Sequence, residues 1–350
     1  MPNNFTPDYT IMTDSAYNRQ PRRIPLYEHA ISVGTMERLM NKSFSGYMQT
    51  DVKEFYRQFC EFFKFAGYDM VSFECGGTTV MPGAGALGGH IQGVILERAD
   101  YDKYPWDSIV DDYFKMHAPT FQIMREVLPE GMKLIGGVGG GVFETVQDLV
   151  GYTDLCYMSI DDPELYEMMF KKAGDILVQI WTRLLNEFSD IFCVCRFGDD
   201  LGYKTQTLLP SDDVKKYVVP QYKRIVEVVH SHNKPFLLHS CGQIFEVMED
   251  IINVAKINAK HSNEDVIAPY KNWLDKFGSR IGNFGGMDTD NLCKYKEDDV
   301  RRLTKELLEM TENCGGIAIG SGNSIPDYVP TECYLAMIET VREYRGDYKK

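Results

Sequence analysis

The strongest constraint on this chain is an alternation that returns along its whole length. A short apolar or β-branched run gives way to a polar or glycine turn, and then to a longer amphipathic segment. Eight such runs, at 24–29, 70–75, 134–138, 192–197, 236–239, 257–261, 281–284 and 316–319, read as strands. The stretches between them carry a helical period. Val52, Phe55, Tyr56, Phe59, Phe62 and Phe63, for example, recur at the three- and four-residue spacing of one helix face. Asp162-Pro163 and the residues after Ser211 carry helix-start signals. Strands alternating with helices pair in parallel through helical crossovers, and eight of each close a (β/α)8 TIM barrel. An open doubly wound sheet is the competing arrangement. The expected fold is therefore an α/β barrel in a single domain over residues 24–350, preceded by an N-terminal extension, 1–23.

Composition narrows the function classes. A length of 350 residues exceeds the usual single domain, but barrels commonly do so. No apolar run approaches the roughly 18 residues needed to cross a bilayer, and residues 1–23 lack the apolar core of a secretory signal. Nine cysteines, scattered and odd in number, suit reduced thiols in a cytoplasm better than a disulfide framework. A net charge of −14 without a basic stripe argues against nucleic acid as a partner. A homodimer is the default assembly for a soluble enzyme.

In a parallel barrel, chemistry gathers at the C-terminal ends of the strands. His29, His239 and His261 fall there, as do Glu28, Glu74, Asp199, Asp200 and Asp288. The richest stretch is Leu238-His239-Ser240-Cys241-Gly242, an apolar strand ending in His-x-Cys and a glycine turn. Side chains two apart share a strand face, so His239 and Cys241 can both enter the mouth. Imidazole with thiolate suits zinc, although a buried histidine beside a packed cysteine fits the spacing as well. A further ligand must come from another strand, with Glu264, His261 and Glu74 as candidates by position. Asp199 and Asp200 are neighbours on one strand, so one of them is expected in the pocket as general acid or base, the other reading being a helix cap or a solvated loop acid. Lys260-His261-Ser262-Asn263-Glu264-Asp265 is unusually polar for packing alone. The glycine-rich stretch 81–93, with His90, reads either as a lid or as a flexible surface loop. The glycines of 136–141 do not match the dinucleotide fingerprint. Cys193 and Cys195 alternate within an apolar strand and read as core.

From residue 24 to 341 the chain resembles the uroporphyrinogen decarboxylase superfamily, in particular its branch of cobalamin- and corrinoid-linked methyltransferases. The resemblance is carried by Pro25-Leu26-Tyr27-Glu28-His29, Gly141-Val142-Phe143-Glu144 with Gly151-Tyr152, and Asp161-Asp162-Pro163-Glu164. It continues through Gly198-Asp199-Asp200-Leu201-Gly202, Leu238-His239-Ser240-Cys241-Gly242, Lys260-His261-Ser262-Asn263-Glu264-Asp265 and Gly285-Gly286-Met287-Asp288. It implies the eight-stranded barrel. Two departures shape what else it implies. Uroporphyrinogen decarboxylases hold their substrate's propionates with an arginine-rich stretch after the first strand, where this chain has Tyr27-Glu28-His29-Ala30-Ile31. Arg22 and Arg23 precede that strand, on the wrong face. The zinc methyltransferases add a cysteine after the last strand to His-x-Cys. Gly322 stands there instead, and Cys314 lies before the strand, at the opposite end. A third ligand would then be oxygen or nitrogen.

The resulting expectation is a methyltransferase that moves a methyl group from a small O-, N- or S-methylated donor to a corrinoid. Zinc would be held by His239, Cys241 and an oxygen or nitrogen donor such as Glu264. Asp199, Asp200, His261 and Glu264 are assigned to catalysis, and Glu28, His29, Glu74, His90 and Asp288 to substrate contact. The corrinoid-binding Asp-x-His-x-x-Gly signature is absent from the sequence, so the cofactor is expected on a partner protein. The alternatives are a porphyrinogen-type decarboxylase that uses Asp199 or Asp200, and a catalytically silent ligand-binding barrel.

Overall fold

The computed structural model describes residues 5–348. Its centre is one sheet of seven parallel strands in sequential order: β1 (Met70–Gly76), β2 (Lys133–Gly139), β3 (Phe192–Gly198), β4 (Phe236–His239), β5 (Ala259–His261), β6 (Gly282–Met287) and β7 (Ile317–Ser321). Helices lie between successive strands, so both faces of each strand are covered. The strands accordingly read as continuous apolar runs, and every residue of β3, β4, β5 and β7 is buried. The helix starts expected at Asp162 and Ser211 are present. Asp162 accepts from Leu165 N with Pro163 in the first turn, and a helical segment opens at Ser211. The helix Val52–Ala66 buries Phe55, Phe62 and Phe63, with Asp51 capping its start and Gly67 ending it in a left-handed turn.

Among the described residues the expected eight strands are seven. The run 24–29 forms no strand. It makes a single bridge, Leu26 to Ile319, with Tyr27 N donating to Ile319 O and Ile319 N to Pro25 O. Pro25 has no N–H with which to extend that pairing. Toward β1 the described residues form no backbone ladder. Side chains join the two segments instead, with Ser72 Oγ (2.5 Å) and Arg196 Nη1 (3.2 Å) both donating to the carbonyl of His29. The sheet thus curls like a TIM barrel, and its closing seam is stitched by side chains.

The segment before residue 24 covers the N-terminal floor. Its helix Thr10–Ala16 buries Ile11, Met12 and Ala16 and contacts β3, β6 and β7. Arg22 and Arg23 pair with Asp8 and Asp69 there, away from the mouth. Residues 1–4 of the extension lie outside the described residues. Among the described residues no helix is long and apolar enough to cross a membrane. All nine cysteines are free, and Cys193 and Cys195 are buried in β3.

Candidate metal centre

β4 and β5 end side by side with His239 opposite His261 in the ladder, so the backbone register alone brings the two imidazoles together. Their Nδ1 atoms are 2.8 Å apart, and His261 Nε2 is 3.0 Å from the carbonyl oxygen of Ser321 at the end of β7. Burial holds both rings in the neutral form, His261 down to about 3 and His239 well below its ordinary value. The tautomers follow from the partners. A carbonyl can only accept, so His261 Nε2 carries the hydrogen and its Nδ1 accepts. His239 Nδ1 must then donate, which leaves the lone pair of His239 on Nε2. That nitrogen lies 3.5 Å from Cys241 Sγ and 3.7 Å from Asp200 Oδ1. His239, Cys241 and Asp200 each offer a ligand atom within 4.8 Å of the others.

The sulfur is prepared in a similar way. Asn323 Nδ2 (3.3 Å) and Ser262 Oγ (3.6 Å) donate to Cys241 Sγ, while Cys241 N donates to Asp200 Oδ1 at 2.9 Å. Burial, and then the Asp200 carboxylate, push the thiol up to about 12. A thiol in such surroundings keeps its proton until a bound cation displaces it to solvent. Neutral imidazole, thiolate and carboxylate form a nitrogen, sulfur and oxygen set that fits zinc with one position open. The outer partners Ser321, Asn323 and Ser262 orient two of the three ligands.

The two adjacent acids divide as strand geometry requires. Asp199 is fully buried and accepts from Phe143 N, Glu144 N and Tyr222 Oη, so it anchors the start of the helix Val142–Val150. A side chain at Gly141 would collide with it. Asp200 turns to the mouth, and its own N–H is held by Glu144 Oε1 at 3.1 Å. Burial, then Asp199 and Asp200, raise the Glu144 carboxyl.

The other expected site residues are placed as follows. Glu28 is fully buried on Ser321, accepting from its N–H (3.0 Å) and its hydroxyl, and burial pushes it up to about 8. It has no face open to a substrate. His29 stacks on His239 with ring centroids 3.8 Å apart. Glu74 pairs with Arg196, which is buried in β3 and also donates to Tyr27 Oη and Ser72 Oγ. Asp288 caps the helix Thr289–Lys294, accepting from Asp290 N and Asp265 N. Glu264 stands apart from the metal-compatible groups and lines a cleft of about 350 Å3 with Lys204, Asp288, Asn323 and Tyr328. His90 is exposed and makes no hydrogen bond among the described residues. Its loop is tied to the helix Val142–Val150 through Gly85 N to Asp148 O and Val94 N to Leu149 O. Of the expected third donors, Glu264 and Glu74 join no metal-compatible group among the described residues, whereas His261 does so with His29 and His239, and Asp200 does so with His239 and Cys241.

Arg196, Ser321 and Asn323 were not singled out by sequence. Arg196 left a readable trace as a charge inside an apolar strand. Asn323 follows directly on Gly322, where a cysteine was expected. A side chain at Gly322 itself would strike the carbonyl of Asn263. Cys314 lies before β7, as its position suggested.

The family model for uroporphyrinogen decarboxylase (URO-D) matches residues 55–344. The chain belongs to the uroporphyrinogen decarboxylase family. No curated protein sequence matches it. Among solved structures it is similar to a methyltransferase from Methanosarcina mazei, at 16% identity and a TM-score of 0.68 over 96% of this chain and 98% of that one. At that identity the likeness shows a shared fold. A 3-keto-D-glucoside 4-epimerase from E. coli aligns at 12% identity and a TM-score of 0.43 over 84% of this chain and 95% of that one, too distant to bear on function. At the mouth of this URO-D family member, two groups of side chains bring ligand atoms within 4.8 Å of one another, His239 with Cys241 and Asp200, and His239 with His29 and His261.

Proposed function

We propose that this protein is a methyltransferase that moves a methyl group from a small O-, N- or S-methylated donor to a corrinoid carried by a partner protein, assisted by zinc held by His239, Cys241 and Asp200. The observation that carries this reading is the convergence of the three donors at the mouth, with the lone pair of His239 Nε2 fixed toward Cys241 and Asp200. Bound there, zinc would act as a Lewis acid on the heteroatom that bears the methyl group.

The chain's own residues do the rest. His261 and Ser321 hold His239 in one tautomer, and Asn323 and Ser262 steady the sulfur. Glu144 keeps Asp200 turned inward. The cleft bordered by Glu264, Asp288, Asn323 and Tyr328 opens beside the sulfur and has room for a small donor. The loops after the strands expose Ile91, Tyr203, Val266 and Tyr328. Apolar side chains scattered around a mouth in this way suit a docked protein.

Decarboxylation of a porphyrinogen finds less support. Asp199 has its carboxylate committed to Phe143, Glu144 and Tyr222, and Glu28 stands where that chemistry needs cations.

Elemental analysis of the purified protein beside a His239→Ala/Cys241→Ala variant tests the proposal. About one zinc per chain, lost in the variant, is expected, followed by methyl transfer to a corrinoid acceptor in a donor screen. Absence of metal after zinc is supplied would remove the Lewis-acid role. Turnover of uroporphyrinogen by a chelated sample would replace the reading with decarboxylation.

A further inference from the structure

Two of the outer contacts of the candidate metal centre run back to one residue. The carbonyl of Ser321 accepts from His261 Nε2, and His261 in turn sets the tautomer of His239. The hydroxyl of Ser321 lies 3.1 Å from the carbonyl of Asn323, whose side chain donates to Cys241 Sγ. Ser321 is itself held from the far side by Glu28, which accepts from both its N–H and its hydroxyl. Glu28 reaches across from the segment that closes the sheet. It is fully buried and bonds to no other residue among those described.

We propose that Glu28 is the positioning residue of the centre, fixing through Ser321 both the His239 tautomer and the N–H···S bond to Cys241. This inference rests on the His239–Cys241–Asp200 reading for its purpose, and its geometry stands without it. A carboxylate or amide at position 28 supplies an acceptor for Ser321 N, and a methyl supplies none. What is required is therefore the acceptor rather than the charge. Without it, an N–H at the end of β7 is left buried and unpaired, and β7 can recover a partner only by shifting the carbonyl that holds His261.

The test compares Glu28→Ala and Glu28→Gln with the wild type. In metal-free protein labelled with 15N-histidine, the ring nitrogen shifts of His239 report its tautomer directly. The wild type and E28Q should show hydrogen on Nδ1, whereas E28A should show a mixture. With cobalt(II) as the probe metal, E28A should bind roughly 10–100-fold more weakly than wild type, and E28Q should recover most of the loss. A folded E28A with the wild-type tautomer overturns the inference, and so does an E28Q as impaired as E28A. If E28A does not fold, Ser321→Ala carries the test. It removes only the hydroxyl, so the His239 tautomer should persist while cobalt binding weakens, and unchanged cobalt binding would overturn the inference. A wild type that binds no metal but shows the expected tautomer series would sink the proposed function and leave this inference standing.

Discussion

The edge between β4 and β5 and the seam between segment 24–29 and β1 both border the mouth, but they are built by different means. At the first, backbone register sets His239 against His261, and no side chain has to choose the pairing. At the second, Arg196 reaches from β3 to Glu74, Tyr27, Ser72 and the His29 carbonyl, in place of a ladder. A ladder is specified by strands of matching length and pattern. A stitched seam is specified by a few side chains whose partners lie far apart in sequence, so it should tolerate substitution much less.

The sharpest way to break that contrast is Arg196→Met. It leaves Glu74 without its cation and the His29 carbonyl with one donor fewer. A loss of about 2 kcal/mol is expected, because removing the buried cation strands a half-buried carboxylate and takes a donor from three other acceptors. The shift in urea midpoint measures it, and a change below about 0.5 kcal/mol would show that the seam holds without its stitch.

The other edge of the same segment gives a pH signature. Burial raises the Glu28 carboxyl from 4.5 to about 8. Between those values the folded chain keeps a proton that the unfolded chain has released. Rising pH therefore favours unfolding, by about 1.4 kcal/mol per pH unit across the window. Glu28→Gln does not titrate, so the stability difference between wild type and E28Q should drift against the wild type from pH 4.5 toward 8. A flat difference would mean that Glu28 is as free to ionise in the fold as in the unfolded chain.

On the ladder side, His261→Ala should lower zinc affinity by about 10–100-fold, measured by chelator competition, because His239 loses the partner that fixes its tautomer. Equal affinity would mean that register alone orients the ring. The smallest effect belongs to a loop outside both regions. His90→Ala should leave stability within about 0.5 kcal/mol and cobalt(II) binding unchanged. Weakened cobalt binding would bring that loop into the site.

The same contrast explains what could be read from sequence. Seven of the strands, the two helix starts and the meeting of His239 with Cys241 follow from apolar runs, cap residues and two-residue spacing, all of them local signals. The division of labour between Asp199 and Asp200 follows from alternation. Which acid would join the metal does not, because it depends on how the turn after β3 meets the turn after β4. The failed eighth strand was hidden for a similar reason. Residues 24–29 are apolar enough to look like a strand, but Pro25 cannot extend the pairing with β7, and toward β1 the segment is held by Arg196, more than 160 residues later in the chain, in place of a ladder. Glu28 looked like a mouth residue from its place at the end of a run, but its carboxyl turns to Ser321.

Gly322 bears on the history open to this protein. Because any side chain at that position would run into the carbonyl of Asn263, a single codon change there would not by itself set a second thiolate beside Cys241. A descendant of this chain seeking a softer metal site has a shorter route one residue further on, at Asn323, whose side chain already touches the sulfur of Cys241. The backbone has closed one chemical lineage and left the neighbouring one within a single substitution.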